Sequence, residues 1–261
     1  MTISPSREQV NQREYYRRTA GAYDEWHTSR PDEHTFALEH VLFYLRLCGA
    51  ESVLDSGCGT GRALRFLRER APELRLHGND PSVELLAIAT EQYGIEAELV
   101  DCVASEQLPY EDAAFDAVVA TGVLHHVPEP KRVVHELIRV ARRAVFISDV
   151  NIYGQGSVPA RIAKVALSRA GLLRPVNWLR RGGHHWYSSE GDGIAYSYSA
   201  FDAVPALSRA CARIIVIPTI DTVKPVGVPL VNSSHVLVCG FKAPLSVNLA
   251  AAVGQQVDGS G

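Results

Sequence analysis

The chain has 261 residues, 46% hydrophobic and 21% charged, so it can bury the core of one large globular domain. Its 26 basic and 29 acidic residues give a net charge of −3, which argues against nucleic acid as a partner. The five cysteines are scattered, and no run of about 18 apolar residues occurs, so we expect a cytoplasmic protein without a membrane span.

Apolar residues recur with helical and strand spacing in alternation along most of the chain. Helices are predicted over 36–47, 62–70, 83–93 and 131–142, and strands over 52–57, 74–80, 97–100, 115–121 and 144–150. Two more strands, 213–219 and 235–241, have no helical pattern between them. The alternation predicts an α/β fold with a doubly wound, mostly parallel seven-stranded sheet, and the last pair indicates one antiparallel edge strand.

Three segments fall outside this alternation. Residues 1–12 are predicted to be a flexible N-terminus, and residues 244–261 a disordered tail. Residues 151–198 interrupt the domain after the fifth strand, which is typical of a lid that binds substrate. From Ile152 to Ser189 the insertion has no acidic residue and six basic ones: Arg161, Lys164, Arg169, Arg174, Arg180 and Arg181. Its first half, 159–170, is predicted to be helical.

A glycine-rich turn, LDSGCGTG at 54–61, follows the first predicted strand. Its glycines allow the backbone to come close to a ligand, at the point where open α/β sheets bind one. A dinucleotide fingerprint, GxGxxG, requires glycine at position 62, where this chain has Arg62. The turn therefore disfavours a nicotinamide-dependent oxidoreductase.

The segment from Asp55 to Gly61, an acidic residue followed by GxGxG, resembles the cofactor loop of class I S-adenosylmethionine-dependent methyltransferases. Asp80 and Asp101 end the second and third strands, where that family also has acidic residues. FDAVVATGVLHHV at 115–127 resembles the fourth-strand motif of the ubiquinone/menaquinone methyltransferase-like (type 11) branch. YYRRTAGAYDEW at 15–26 resembles the N-terminal lid of that branch.

This resemblance implies a methyltransferase domain over 13–243, with N-terminal lid helices over 13–48. It also implies S-adenosyl-L-methionine as cofactor and S-adenosyl-L-homocysteine as product. Asp80 would take both ribose hydroxyls, Asp101 the adenine amino group, and the Thr121 carbonyl the methionine ammonium. The implied cofactor-binding residues are Asp55, Gly57, Gly59, Asp80, Asp101, Cys102, Thr121, Tyr16 and Tyr23.

Each assignment has a structural alternative. Asp55 could cap a turn, Asp80 could cap the following helix, and Asp101 could be an ordinary loop acid. Tyr16 and Tyr23, seven residues apart, lie on one helical face that could equally belong to the core.

Methyl transfer depends mainly on orientation, and a base is needed only if the acceptor must lose a proton. His125 and His126 follow the fourth strand and are candidate catalytic bases, although one ring could only brace the loop. Asp149 and Asn151, which end the fifth strand, could hydrogen-bond the acceptor. Further candidate acceptor-binding residues lie in the insertion: Arg161, His184, His185, Tyr187 and Tyr196. No cluster with metal-ligand spacing accompanies the histidines, so no metal is expected.

The sequence favours transfer of a methyl group to an oxygen, nitrogen or carbon atom of a small specialised metabolite. The basic insertion allows an acceptor that bears a carboxylate or phosphate, or it is only a solvated face. A peptide or protein methyltransferase and a non-catalytic S-adenosylmethionine-binding regulatory protein are the alternatives.

Overall fold

A computed structural model describes residues 32–189, 193–220 and 229–245. The predicted N-terminus, the first part of the predicted N-terminal lid with Tyr16 and Tyr23, and nearly all of the predicted tail lie outside these ranges. Within them the strands are β1 (Ser52–Ser56), β2 (Arg75–Asn79), β3 (Val100–Asp101), β4 (Phe115–Thr121), β5 (Ala141–Val150), β6 (Trp186–Ser189), β7 (Gly193–Tyr196), β8 (Arg213–Pro218) and β9 (His235–Phe241).

Seven strands form one sheet in the order β3-β2-β1-β4-β5-β9-β8. The first five are parallel, whereas β9 is antiparallel to both β5 and β8. The predicted seven-stranded, mostly parallel sheet with one antiparallel strand on the β5 side is confirmed. The antiparallel strand is β9, which lies second from the edge on that side, with β8 outside it.

Helices cover both faces of the sheet. They are α1 (Glu33–Leu47), α2 (Arg62–Arg70), α3 (Val83–Glu91), α4 (Pro130–Val140), α5 (Val158–Arg169), α6 (Leu173–Arg180), α7 (Val204–Ala210) and α8 (Pro229–Asn232). Alternate residues of β4 point to opposite faces, so that Val118 packs in one core cluster with Leu137 of α4, and Val119 packs in the other with Leu38 of α1. None of the described helices is long and apolar enough to cross a membrane.

Two predicted boundaries are wrong. The strand predicted over 97–100 is largely a 3-10 turn, Ala97–Leu99, and only Val100–Asp101 pairs with β2. Ala97 and Glu98 are exposed at this edge of the sheet, so burial does not hold them in a strand. The helix predicted to reach residue 142 ends at Val140, because Ala141 is fully buried and pairs with Phe115 of β4.

The insertion contains more structure than its sequence indicated. The predicted helix is α5, and it is followed by α6 and by a hairpin of β6 and β7. An isolated bridge between Asn151 and Ser199 closes the base of the insertion. The segment is therefore a folded subdomain attached at the carboxyl end of β5.

Candidate active site

The glycine turn connects β1 to α2, and all three of its glycines have a positive φ. A Cβ atom at Gly57 would lie 2.5 Å from Val123 Cγ2, so the loop after β4 packs too closely for any side chain there. At Gly59 the nearest atom to such a Cβ is Leu85 Cδ1, at 3.9 Å. Gly57 is thus required by packing, whereas at Gly59 a Cβ atom would make only an ordinary van der Waals contact and the positive φ is what favours glycine.

Asp55 presents a buried carboxylate beside this turn. Its side chain is withdrawn from solvent, and Oδ1 has no hydrogen-bond partner among the described residues. Burial, and after it the charge of Asp80, raises the pKa of Asp55 to about 7. A buried acceptor without a partner is costly, so this position calls for a ligand with a positive charge or a hydrogen-bond donor.

Asp80 holds the turn against α3. Its Oδ2 accepts the Gly59 N–H at 3.0 Å, and its Oδ1 accepts the Ser82 N–H at 2.8 Å. The helix itself is capped by Ser82, whose hydroxyl accepts the Leu85 N–H. A carboxylate is also the type of group that can accept hydrogen bonds from a pair of hydroxyl groups.

Asp101 is fixed by two side chains that the sequence did not single out. Its Oδ2 accepts hydrogen bonds from His77 Nε2 and the Tyr110 hydroxyl, both at 2.8 Å. The hydrogen bond from His77 lowers the pKa of Asp101, so it stays ionised. The next residue, Cys102, is exposed, with its thiol 3.8 Å from the Pro81 carbonyl.

His125 and Asp149 form a buried pair at the carboxyl ends of β4 and β5. The distance from His125 Nδ1 to Asp149 Oδ1 is 2.7 Å. Backbone N–H groups of Leu124 and Val150 also donate to this carboxylate, at 2.8 and 2.7 Å. Burial raises the pKa of Asp149, but the charge and hydrogen bond of His125 outweigh it and bring the pKa below its ordinary value. Since a carboxylate only accepts, the His125 Nδ1–H donates, and the basic nitrogen of the neutral ring is Nε2.

Three more polar residues at this end of the sheet could not be singled out from the sequence: the half-buried His34 and the buried His235 and Tyr198. Gly122, which follows Thr121, lies against His34, since a Cβ atom there would be 3.1 Å from His34 Cε1. His34 Nδ1 and the Tyr198 hydroxyl are buried without a partner among the described residues. Burial, and then the charge of His235, lowers the pKa of His34 to about 3. Only the fold brings these distant positions of the chain together.

His34 and His235, whose rings meet edge to face 5.1 Å apart, also belong to a group that could hold a cation. With Glu33 they each place one ligand atom within 4.8 Å of the others. A sequence pattern could not have shown this set, because His34 in α1 and His235 in β9 are about 200 residues apart in the chain.

The structure assigns internal contacts to His126 and Asn151. His126 Nδ1 lies 2.7 Å from the Ile194 carbonyl and ties the turn after β4 to the hairpin of the insertion. Asn151 donates to the carbonyls of residues 230 and 233, and its Oδ1 accepts from Tyr153 N–H and the Ser199 hydroxyl. With both donors and both acceptor positions used, Asn151 is a structural residue at the base of the insertion.

The predicted acceptor-binding residues of the insertion are dispersed. His184 and His185 are exposed. Tyr187 lies under the Arg181 guanidinium, 4.4 Å from ring centroid to Cζ, and Tyr196 is paired with Trp186 across the hairpin. Arg161 donates to the carbonyls of Gly156 and Val231 at 2.7 and 3.1 Å, which fastens α5 to the domain.

Comparison with known proteins gives the family of this fold. Residues 54–147 match a family model described as a methyltransferase domain. A malonyl-[acyl-carrier protein] O-methyltransferase from Marinomonas sp. is 30% identical over 163 residues, or 61% of this chain and 59% of that protein. A phosphatidylethanolamine N-methyltransferase from Cereibacter sphaeroides is 38% identical over 122 residues, or 45% of this chain and 58% of that protein. The chain thus covers less than two thirds of the length of these relatives.

Solved structures agree on the fold. Magnesium protoporphyrin IX methyltransferase from Synechocystis PCC 6803, with bound S-adenosylmethionine, is similar with a TM-score of 0.56 and 16% identity, over 93% of this chain and 100% of that one. A S-adenosylmethionine-dependent methyltransferase from Thermotoga maritima gives a TM-score of 0.52 and 15% identity, over 89% of this chain and 100% of that one. Residues 54–147 are thus similar to the methyltransferase-domain family, and the solved methyltransferase structures share the fold over most of the chain.

Proposed function

We propose that this chain is an enzyme that transfers a methyl group from S-adenosylmethionine to a small-molecule acceptor. The observation that carries the proposal is the buried Oδ1 of Asp55 beside the glycine turn, which has no hydrogen-bond partner among the described residues. S-adenosylmethionine supplies what this position lacks, since it bears an ammonium and a sulfonium. A nicotinamide dinucleotide brings a pyrophosphate, which two adjacent buried carboxylates would repel.

We assign the cofactor's parts by the chemistry of each position. Asp55 takes the positively charged methionine end, and the Asp80 carboxylate accepts the ribose hydroxyls. Asp101, held ionised by His77, accepts from the adenine amino group beside Cys102. The Thr121 carbonyl, at the end of β4, shares the methionine ammonium with Asp55. Tyr16 and Tyr23 stay predictions as cofactor contacts.

The acceptor lies, in this proposal, over the carboxyl ends of β4 and β5, under the insertion. His125, oriented by Asp149, serves as general base for an acceptor that loses a proton on methylation. The dyad fixes the tautomer and stabilises the imidazolium that forms when Nε2 takes the proton. Bound S-adenosylmethionine would supply the methyl group, and S-adenosylhomocysteine would be the product.

The acceptor we propose is a specialised metabolite, and the location we propose is the cytoplasm, where the five free thiols would stay reduced. Arg181, whose guanidinium lies over Tyr187 of the hairpin, supports an acceptor with a carboxylate or phosphate. Nothing in the charge balance supports a nucleic acid partner.

Calorimetric titration with S-adenosylmethionine and S-adenosylhomocysteine tests the cofactor site, followed by a screen for S-adenosylhomocysteine production on small acceptors with hydroxyl, amine or carboxylate groups. We expect binding that is lost in Asp55→Ala and kept in Glu69→Gln, a matched change at an exposed acid. Absence of cofactor binding to the native chain would overturn the proposal. Tight binding with no turnover on any acceptor would favour a regulatory protein instead.

A further inference from the structure

The helices of the insertion expose an unusual share of apolar surface. Eight large hydrophobic residues in the described ranges are strongly exposed, and five of them fall within 158–179: Val158, Ile162, Leu172, Trp178 and Leu179. Ile162 is 60% exposed and Leu179 is 69% exposed. Scattered single exposures are ordinary, but a concentration of this kind marks an interaction surface.

The helix α5 is oriented with its polar side toward the domain. Lys164 Nζ donates to the carbonyls of Ile152 and Gln155 at 2.8 and 3.1 Å, and the Ser168 hydroxyl bonds to the Tyr153 hydroxyl at 2.8 Å. Arg161 likewise donates to the carbonyls of Gly156 and Val231, of which Val231 lies outside the insertion.

The opposite, exposed side of α5 carries Val158, Ile162, Ala163 and Ala166, and the helix has no buried residue at all. A surface helix normally buries its apolar stripe and exposes its polar one. In α5 this order is reversed, so the outward face is suited to an apolar environment.

The positive charge around these exposed apolar residues indicates which apolar environment they suit. The segment 152–189 contains no acidic residue, and Arg169, Arg174 and Arg180 are exposed on or beside the same two helices. Trp178, also exposed, is a residue type that prefers the boundary between water and lipid. Apolar side chains flanked by arginines and a tryptophan, on helices too short to cross a bilayer, are the features of helices that lie on an anionic membrane surface.

We propose that α5 and α6 dock this protein onto a membrane surface rich in anionic lipids. Ile162, Leu172 and Leu179 enter the boundary between head groups and acyl chains, and Arg169, Arg174 and Arg180 contact the lipid phosphates. This surface is separate from the cofactor site, and docking does not depend on the proposed methyl transfer.

Co-sedimentation of the full chain with vesicles tests the proposal, comparing phosphatidylcholine alone with phosphatidylcholine mixed with phosphatidylglycerol. We expect pelleting only with the mixed vesicles, and release at high salt. Ile162→Ser with Leu179→Ser should weaken the partition roughly tenfold or more. Arg169→Ser, Arg174→Ser and Arg180→Ser together should weaken it on the order of a hundredfold. Phe43→Ser, a matched change at an exposed apolar residue of α1, should leave it unchanged.

Two results would overturn the proposal. Equal binding to both vesicle types, or to neither, removes the anionic lipid surface as the occupant. In the other result, the native chain binds no vesicles and is a dimer by sedimentation velocity, and the dimer is lost in the double variant Ile162→Ser with Leu179→Ser. That result would assign the face to a second copy of the chain. The arginine variant changes only exposed side chains and keeps the test valid if the apolar variant misfolds.

Discussion

The Asp149 carboxylate holds the His125 ring by a 2.7 Å hydrogen bond, and both side chains are almost completely withdrawn from solvent, at 0% and 7% exposure. Two backbone N–H groups hold the same carboxylate. A base that is oriented by an ionised partner is an arrangement for proton removal. The neighbouring His126 instead contacts the Ile194 carbonyl of the insertion hairpin, so the two adjacent histidines have different roles.

Replacement of His125 tests the role as base. His125→Gln should lower kcat on the order of 100- to 10,000-fold with an acidic acceptor, because proton removal typically contributes that much. The KM for S-adenosylmethionine should change little. Histidine catalysis makes kcat rise with pH, and this rise should be absent from the variant.

Two comparisons separate this role from bracing. His135→Gln, at an exposed histidine of α4, should behave as the native chain. If His125→Gln lowered thermal stability but kept the native pH profile of kcat, the ring would only brace the loop.

Ionisation of Asp55 should oppose folding of the cofactor-free protein. Burial raises the pKa of Asp55 to about 7, above its value in the unfolded chain. The stability that the protonated carboxyl contributes is therefore full at low pH and is lost as the pH rises through about 7. Asp55→Asn removes the charge and keeps the shape. The free energy of unfolding of Asp55→Asn, relative to that of the native chain, should therefore increase between about pH 4 and pH 7, by at most about 1.4 kcal/mol per pH unit. Above about pH 7 the difference should level off. Urea unfolding at a series of pH values measures this, and a pH-independent difference would contradict it.

The same carboxyl should make cofactor affinity depend on pH. A cationic ligand binds the carboxylate form, so affinity for S-adenosylmethionine should rise as pH increases toward 7, and binding below that pH should release a proton. Calorimetry in two buffers of different ionisation enthalpy counts the released protons. Asp55→Asn should bind weakly with no proton release. Unchanged affinity in this variant would remove Asp55 from the cofactor site.

Much of this site could be predicted because its residues sit next to one another in the sequence. The glycine turn and Asp80 directly follow a strand and Asp101 ends one, and parallel strands bring their carboxyl ends to one edge. His34 and His235 could not be found in this way, since they meet only when α1 packs across β9. The apolar outward face of α5 was also missed, because periodicity shows that two faces differ but not which one turns toward the core.

Asp80 has two tasks, loop support and the proposed ribose contact, and calorimetry can separate them. Asp80→Ala should weaken S-adenosylmethionine binding by roughly 1.5–3 kcal/mol, as expected for hydrogen bonds to a charged group. Ser82→Ala removes the cap of α3 and the hydrogen bond to Glu84, and it should lower stability by about 1 kcal/mol without a matching loss of affinity. If the two variants lost affinity equally, Asp80 would act through the loop alone.

Two imidazoles and a carboxylate can bind zinc, so the group of Glu33, His34 and His235 requires a test of whether methyl transfer depends on a metal ion. We expect methyl transfer to be metal-independent. The Arg62 guanidinium lies 2.8 Å from Asp32. Burial, the charge of His235 and then the positive charge of Arg62 lower the pKa of His34. The same positive charge opposes the binding of a cation at the His34 ring. Dialysis against EDTA should leave kcat unchanged, and elemental analysis should find well under one metal ion per chain. A metal content near one ion per chain, lost together with activity in His235→Ala but not in His135→Ala, would establish a metal centre at this position instead.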